Sequence, residues 1–195
     1  MTGVKEQTSV ICAKKLAENE FIALAFDTAY EGESTGERRG LEDPFQRADN
    51  VRNVVTYLST RKEVDSERIG GLGICASDGY VSFAAQTDLR IKAIATVSAV
   101  CAGEMTHNGL IKGSIDSSML IQQLKAFGEA RIAEAKGEEP LITDVLPPGP
   151  SHVPESAPRL VKELTDYYKT PRGQHLQSTN TYLTRSIDLM GNYPS

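Results

Sequence analysis

Apolar residues recur at helical spacing in "VKEQTSVICAKKLAEN", where Val10, Ala13, Leu16 and Ala17 share one face and Lys and Glu take the other. This pattern predicts an amphipathic helix of about four turns. It gives way to "FIALAF", a continuous apolar run of the kind a strand buried on both faces shows in a parallel sheet. The polar, glycine-punctuated "DTAYEGESTGERRGLEDP" then reads as a loop on the sheet's rim. A second helical stripe follows in "FQRADNVRNVVTYLSTR", with Val51, Val54, Val55 and Leu58 on one face and Pro44 just ahead, where its missing N–H is harmless. After it come the apolar strand "IGGLGIC", the helix "ASDGYVSFAAQ" and a third apolar, β-branched run, "IKAIATVSAV".

Helix and strand patterns therefore alternate three times, which predicts an α/β fold: a parallel sheet flanked by helices and joined by right-handed crossovers. The character changes near residue 102. "MLIQQLKAFGEARIAEAKGEE" is helix-forming, "PLITDVLPPGPSHVPESAP" is proline-rich and turn-like, and "RLVKELTDYY" is a shorter helical piece. One domain is expected, with a core over 1–104, a helical and proline-rich lid over 105–177, and a returning helix over 178–195 capped by Ser178 or Thr179.

Composition narrows the function. With 195 residues, 39% hydrophobic and 24% charged, the chain has the make-up of a soluble globular domain, and no run approaches the roughly 20 apolar residues of a membrane span. A net charge of −5 without a Lys/Arg cluster argues against a nucleic-acid partner. Cys12, Cys75 and Cys101 are odd in number and irregular in spacing, which suits a reducing compartment rather than a disulfide framework. No secretory leader is legible, so a cytoplasmic location is expected. Neither a complete phosphate loop nor a metal-ligand spacing is present, so no cofactor and no metal are expected.

Candidate chemistry centres on "GICAS", Gly73 to Ser77, which matches the G-x-S-x-G nucleophile elbow with Cys in the nucleophile's place and Ser77 for the second glycine. A tight strand-to-helix turn lifts the central side chain above the sheet, and the helix start favours developing negative charge. Cys75 is therefore the candidate nucleophile, and the backbone N–H of Ala76 the candidate oxyanion donor. The competing reading is a small buried Cys at a strand end. Asp78 places a carboxylate one turn from the thiol.

The segments "TGVKEQTS", "ALAFDTAYEGESTGE", "ERIGGLGICASDGYVSFAAQTDLRIKAIATVSAV" and "YYKTPRGQHLQSTN" resemble the dienelactone-hydrolase-like branch of the α/β hydrolases. Within that branch they are most similar to the fungal polyketide-transferase and toxin-biosynthesis group. The resemblance implies a partial α/β-hydrolase fold with a helical lid, acting as a hydrolase or acyltransferase on an ester or thioester. A His and an acid would serve the elbow residue, and the loop at Met1 or Thr2 would add a second oxyanion N–H. It also implies strands before "TGVKEQT", and an acid and His after "SIDLM", so the chain reads as the middle of that fold. A peroxisomal address is conceivable only for a longer form.

The remaining candidates are weaker. His107 in a post-strand loop, His152 in the proline-rich segment and His175 in "TPRGQH" are each expected to be surface or lid residues rather than the base. Asp27, Tyr30 and Glu31 border the expected pocket, with loop anchoring the favoured role for Asp27. Arg38 and Arg39 could meet an anionic acyl carrier or could be solvated. Two readings follow: an acyl-transferring enzyme working through Cys75 on a small acyl ester or thioester, or a catalytically silent relative. Unpaired sheet edges would favour self-association.

Overall fold

The computed structural model describes residues 3–144, 146–178 and 181–194. In chain order these form helices α1 (Ser9–Ala17), α2 (Pro44–Ser59), strand β1 (Gly70–Ile74), α3 (Ser77–Ala85), β2 (Ala93–Val97), α4 (Ala102–Asn108), α5 (Ser117–Ala135), β3 (Ile142–Thr143), α6 (Arg159–Tyr168), β4 (Thr181–Tyr182) and α7 (Leu183–Gly191). The fold is mixed α/β, with a parallel β1–β2 pair and seven helices among the described residues. No helix among them is long and apolar enough to cross a membrane.

The chain divides into two compact units. The first comprises Met1–Leu41 with Ile142–Tyr182, and the second Glu42–Leu141 with Leu183–Ser195. Residues 105–141 of the expected lid thus belong to the second unit and 142–177 to the first.

In the second unit, α2 begins where the sequence stops it from beginning sooner. The Asp43 carboxylate accepts from the N–H groups of Phe45 (3.1 Å) and Gln46 (3.2 Å), and Pro44 fills the first helical position. Such a cap stabilises a helix by about 1 kcal/mol. Asp116 caps α5 in the same way, through Ser118 and Met119. The apolar stripe of α2 packs on α3, joining Ala48 and Val55 to Ile69, Ala84 and Ile91 in one buried cluster edged by Val51, Leu58 and Phe83. β1 and β2 run parallel in the register Gly70↔Ala93 to Ile74↔Val97.

The expected sheet is smaller than the apolar runs suggest. "FIALAF" forms no strand, and Phe21 and Ile22 are 63% and 60% exposed. A strand exists only as part of a ladder, and no strand among the described residues pairs with this one. All five residues of β2 are exposed, although a parallel sheet is ordinarily covered on both faces.

The first unit is tied together by polar contacts. Its N-terminal helix is shorter than predicted, because the backbone breaks at Thr8 between a 3-10 turn (Lys5–Gln7) and the nine residues of α1. Gln7 Nε2 donates to the Gly173 carbonyl at 2.6 Å, and β3 pairs antiparallel with β4. That pairing also moves the start of the last helix. Residues 181 and 182 are drawn into a bridge, so α7 begins at Leu183 and Ser178 is not its cap; Thr179 lies outside the described residues.

Candidate active site

Cys75 stands between the end of β1 and the start of α3 and adopts φ +58°, in the left-handed region. For a residue with a side chain this backbone costs about 1–3 kcal/mol and persists only where surrounding structure over-determines it. The constraints here are specific. The Cys75 N–H donates to the Val97 carbonyl at 2.9 Å, and the Cys75 carbonyl accepts from the N–H groups of Asp78 (3.1 Å) and Val100 (3.3 Å).

Glycine spacing on β1 lets α3 come close enough to make that turn. A Cβ on Gly73 would lie 2.6 Å from the Asp78 Cα, and one on Gly71 would lie 2.7 Å from a Val81 methyl. The thiol is free and half-buried. Ala76, 3% exposed, opens the helix, where the first backbone N–H groups have no intrahelical acceptor. A thiol at a helix start with adjacent N–H donors is an arrangement suited to acyl transfer.

Ser98 is also left-handed, at φ +57°, one residue past β2, and it is exposed. Both unusual residues lie at the carboxyl ends of neighbouring parallel strands, the edge at which open α/β sheets bind ligands. Nothing in "TVSAV" marks Ser98 in the sequence, since Ser has no special preference for that conformation.

Beneath the elbow helix lies a buried charge network that the sequence did not announce. Glu42 (1% exposed) is gripped by Arg47, whose Nε reaches Oε1 at 3.1 Å and whose Nη2 reaches Oε2 at 3.0 Å. Tyr80 of α3 donates its hydroxyl to Glu42 Oε1 at 2.7 Å, and the Glu42 N–H donates to Ser186 Oγ at 3.0 Å. Burial pushes the Glu42 carboxyl up, but the Arg47 guanidinium and the hydrogen bonds from Arg47 and Tyr80 outweigh it and hold the group well below the usual carboxylate range. Burial, with Glu42 alongside, pushes the Tyr80 hydroxyl well up. The Tyr80 ring meets Tyr193 edge-on at 5.8 Å, within an aromatic cluster completed by Phe45 and Phe83.

The other predicted site residues fall in the first unit. Asp27 anchors the rim loop. Its carboxylate accepts from the Lys5 backbone N–H (2.8 Å), the Lys5 ammonium (2.8 Å) and the Glu33 N–H (3.1 Å). Burial pushes the Asp27 carboxyl up, while Lys5 and the two backbone donors carry it below its ordinary value. Gly32, at φ +47°, passes so close to this carboxylate that a Cβ would lie 2.3 Å from Oδ2. Tyr30, at φ +72°, exchanges backbone hydrogen bonds with Thr35 and Gly40 and lays its ring against Gly36. Arg39 holds the carbonyls of Gly32 (2.6 Å) and Ser34 inside the loop, and Arg38 sits over the Tyr182 ring of β4 at 5.5 Å. Thr2 and Met1 lie outside the described residues.

The histidines are engaged elsewhere. His107 belongs to α4 rather than to a loop, and its Nε2 lies 2.9 Å from the Gly191 carbonyl. His152 Nδ1 lies 3.3 Å from Ser151 Oγ, and His175 Nδ1 accepts from the Gln177 N–H at 3.2 Å. Among the described residues no group of three His, Cys, Asp or Glu side chains could hold a metal.

This strand, elbow and helix arrangement has the fold of the α/β hydrolases. The alpha/beta hydrolase GrgF from Penicillium sp. sh18 superposes with a TM-score of 0.74 over 98% of this chain and 61% of its own, at 18% identity. The crystal structure of the hypothetical protein PA2218 from Pseudomonas aeruginosa superposes at 0.87 over 100% of this chain and 60% of its own, at 27% identity. In sequence, the uncharacterized protein YcjY of Escherichia coli K12 is 39% identical over 98% of this chain and 61% of its own length. More distant similarity reaches the thiohydrolase aneE of Aspergillus aculeatus, 27% identical over 74% of this chain and 44% of its own. It also reaches the acyltransferase drtE of Aspergillus calidoustus, 28% identical over 73% and 43%. No protein-family profile matches. The chain spans between 43% and 61% of the length of these relatives.

Proposed function

We propose that the chain carries the nucleophile of an acyl hydrolase or acyltransferase of the dienelactone-hydrolase-like branch, acting on an ester or thioester. The observation that carries this reading is the left-handed Cys75, held at the strand-to-helix turn by Val97, Asp78 and Val100. Its sulfur attacks the acyl carbon, a carbon–sulfur bond forms, the alcohol or thiol leaves with the thiol's proton, and water or an alcohol then takes the acyl group. The names of the fungal thiohydrolase and acyltransferase support this class of substrate. A polyketide-type acyl chain in secondary metabolism is the specific substrate class we carry forward, with the reaction taking place in the cytoplasm.

The test is intact mass after brief exposure to p-nitrophenyl butyrate, beside Cys75→Ala. A butyryl adduct on the parent alone is the expected result. The engagement of all three histidines elsewhere favours a second reading, a chain that keeps the fold without turnover. A folded parent that takes no adduct would establish it.

The reading extends to assembly. Every residue of the neutral, largely β-branched strand Ala93–Val97 is exposed, Ile94 to 46% and Val97 to 50%, and the strand has none of the charges or prolines that usually protect an edge. We expect two copies to pair along it, seen as a concentration-dependent mass in sedimentation velocity. A monomer at all concentrations would exclude such pairing.

A further inference from the structure

We propose that Asp78 is the positioning residue of the elbow, clamping the end of β2 to the first turn of α3 so that Cys75 keeps its left-handed backbone. The proposal rests on the reading of Cys75 as nucleophile.

A carboxylate in the first turn of a helix ordinarily faces water or caps its own helix. Asp78 does neither: it is 2% exposed, and its Oδ1 accepts from the Val97 N–H of the neighbouring strand at 3.1 Å. Val97 is thereby held from both sides, because its carbonyl accepts from the Cys75 N–H at 2.9 Å. The Asp78 N–H closes the ring by donating to the Cys75 carbonyl at 3.1 Å. Three hydrogen bonds thus run Cys75 to Val97, Val97 to Asp78 and Asp78 back to Cys75, and they fix both backbone polar groups of the strained residue. Gly73 leaves Asp78 no room to withdraw on the β1 side. The second carboxylate oxygen, Oδ2, is buried with no partner among the described residues. Holding the clamp therefore leaves a polar atom unsatisfied, and Asn is a nearly isosteric replacement that keeps an acceptor for Val97.

The experiment compares the parent with Asp78→Asn and Asp78→Ala, by amide exchange at Val97 and by the single-turnover rate of Cys75 acylation from p-nitrophenyl butyrate. In the parent the Val97 amide should be protected relative to Thr96, its exposed neighbour on β2. Asp78→Asn should keep that protection and the parent's rate. Asp78→Ala should lose the protection and acylate about 10²-fold more slowly, the scale of an ångström-level misplacement, with its half-saturating ester concentration unchanged. The proposal is overturned if the parent's Val97 amide exchanges as freely as Thr96, if Asp78→Ala keeps rate and protection, or if Asp78→Asn falls as far as Asp78→Ala. The first of these needs no variant to fold. A parent that takes no acyl group while Val97 is protected would sink the nucleophile reading and leave the clamp standing, with iodoacetamide alkylation of Cys75 then reporting its effect on the thiol.

Discussion

Arg47→Leu is expected to destabilise the second unit by about 3–5 kcal/mol, because it removes the buried guanidinium that pairs with the Glu42 carboxylate through two hydrogen bonds. Against a typical total of about 5–15 kcal/mol this is a large fraction. In the parent, Glu42 has a carboxyl held well below the usual range, so the stability it contributes is present above the unfolded value of about 4.3 and is lost only as pH falls through the depressed folded value. Removing Arg47 takes away the largest of the effects that lower the group, so less of this stabilisation remains, and the deficit relative to the parent should narrow as pH falls toward the depressed folded value. Urea midpoints at neutral pH and near pH ~4 measure both effects. Equal midpoints for parent and variant at neutral pH would show that the pair contributes nothing net. Tyr80→Phe removes one donor to the same carboxylate and should cost less, about 1–3 kcal/mol.

That network also shows where sequence reading stops. The periodic stripe and Pro44 place α2, and the apolar runs around "GICAS" place β1 and α3 within a residue and β2 within three, because helical and strand periods are local properties. The elbow was legible for the same reason: its glycines and Cys75 are contiguous. Glu42, Arg47 and Tyr80 carry no such signal. The tyrosine lies 38 residues from the carboxylate it serves, and only the packing of α3 on α2 brings them together. "FIALAF" failed in the opposite direction. It has the composition of a buried strand, but strand identity depends on a partner elsewhere, and none among the described residues supplies one. Residues 181 and 182, read as helix, were taken by Ile142 and Thr143, a pairing invisible to any local window. Asp27 was legible as an anchor because a short carboxylate before a turn-rich loop has few other uses, whereas its pairing with Lys5 needed the fold.

Gly73→Ala is expected to have the other large effect, and it joins stability to chemistry in one position. The added methyl would lie 2.6 Å from the Asp78 Cα and 2.7 Å from its nitrogen, which are backbone atoms that cannot rotate aside. β1 and α3 must separate by several tenths of an ångström, an overpacking cost of about 1–3 kcal/mol or more. The strain does not stay local. Asp78 is where α3 grips Cys75 and Val97, so moving it loosens the hydrogen bonds that hold the left-handed turn. Acylation of Cys75 should therefore fall by about 10²-fold or more even in protein that remains folded. Gly128→Ala supplies the control: it lies within α5 with nothing inside 4 Å of the added Cβ, and it should stabilise the chain by about 1 kcal/mol without touching the thiol. If Gly73→Ala leaves melting temperature and Cys75 acylation at parental values, the close approach of strand and helix is not what shapes the elbow. If Gly73→Ala lowers stability but acylates at the parental rate, the turn tolerates displacement, and the left-handed geometry of Cys75 must be held chiefly by the Val97 and Val100 contacts.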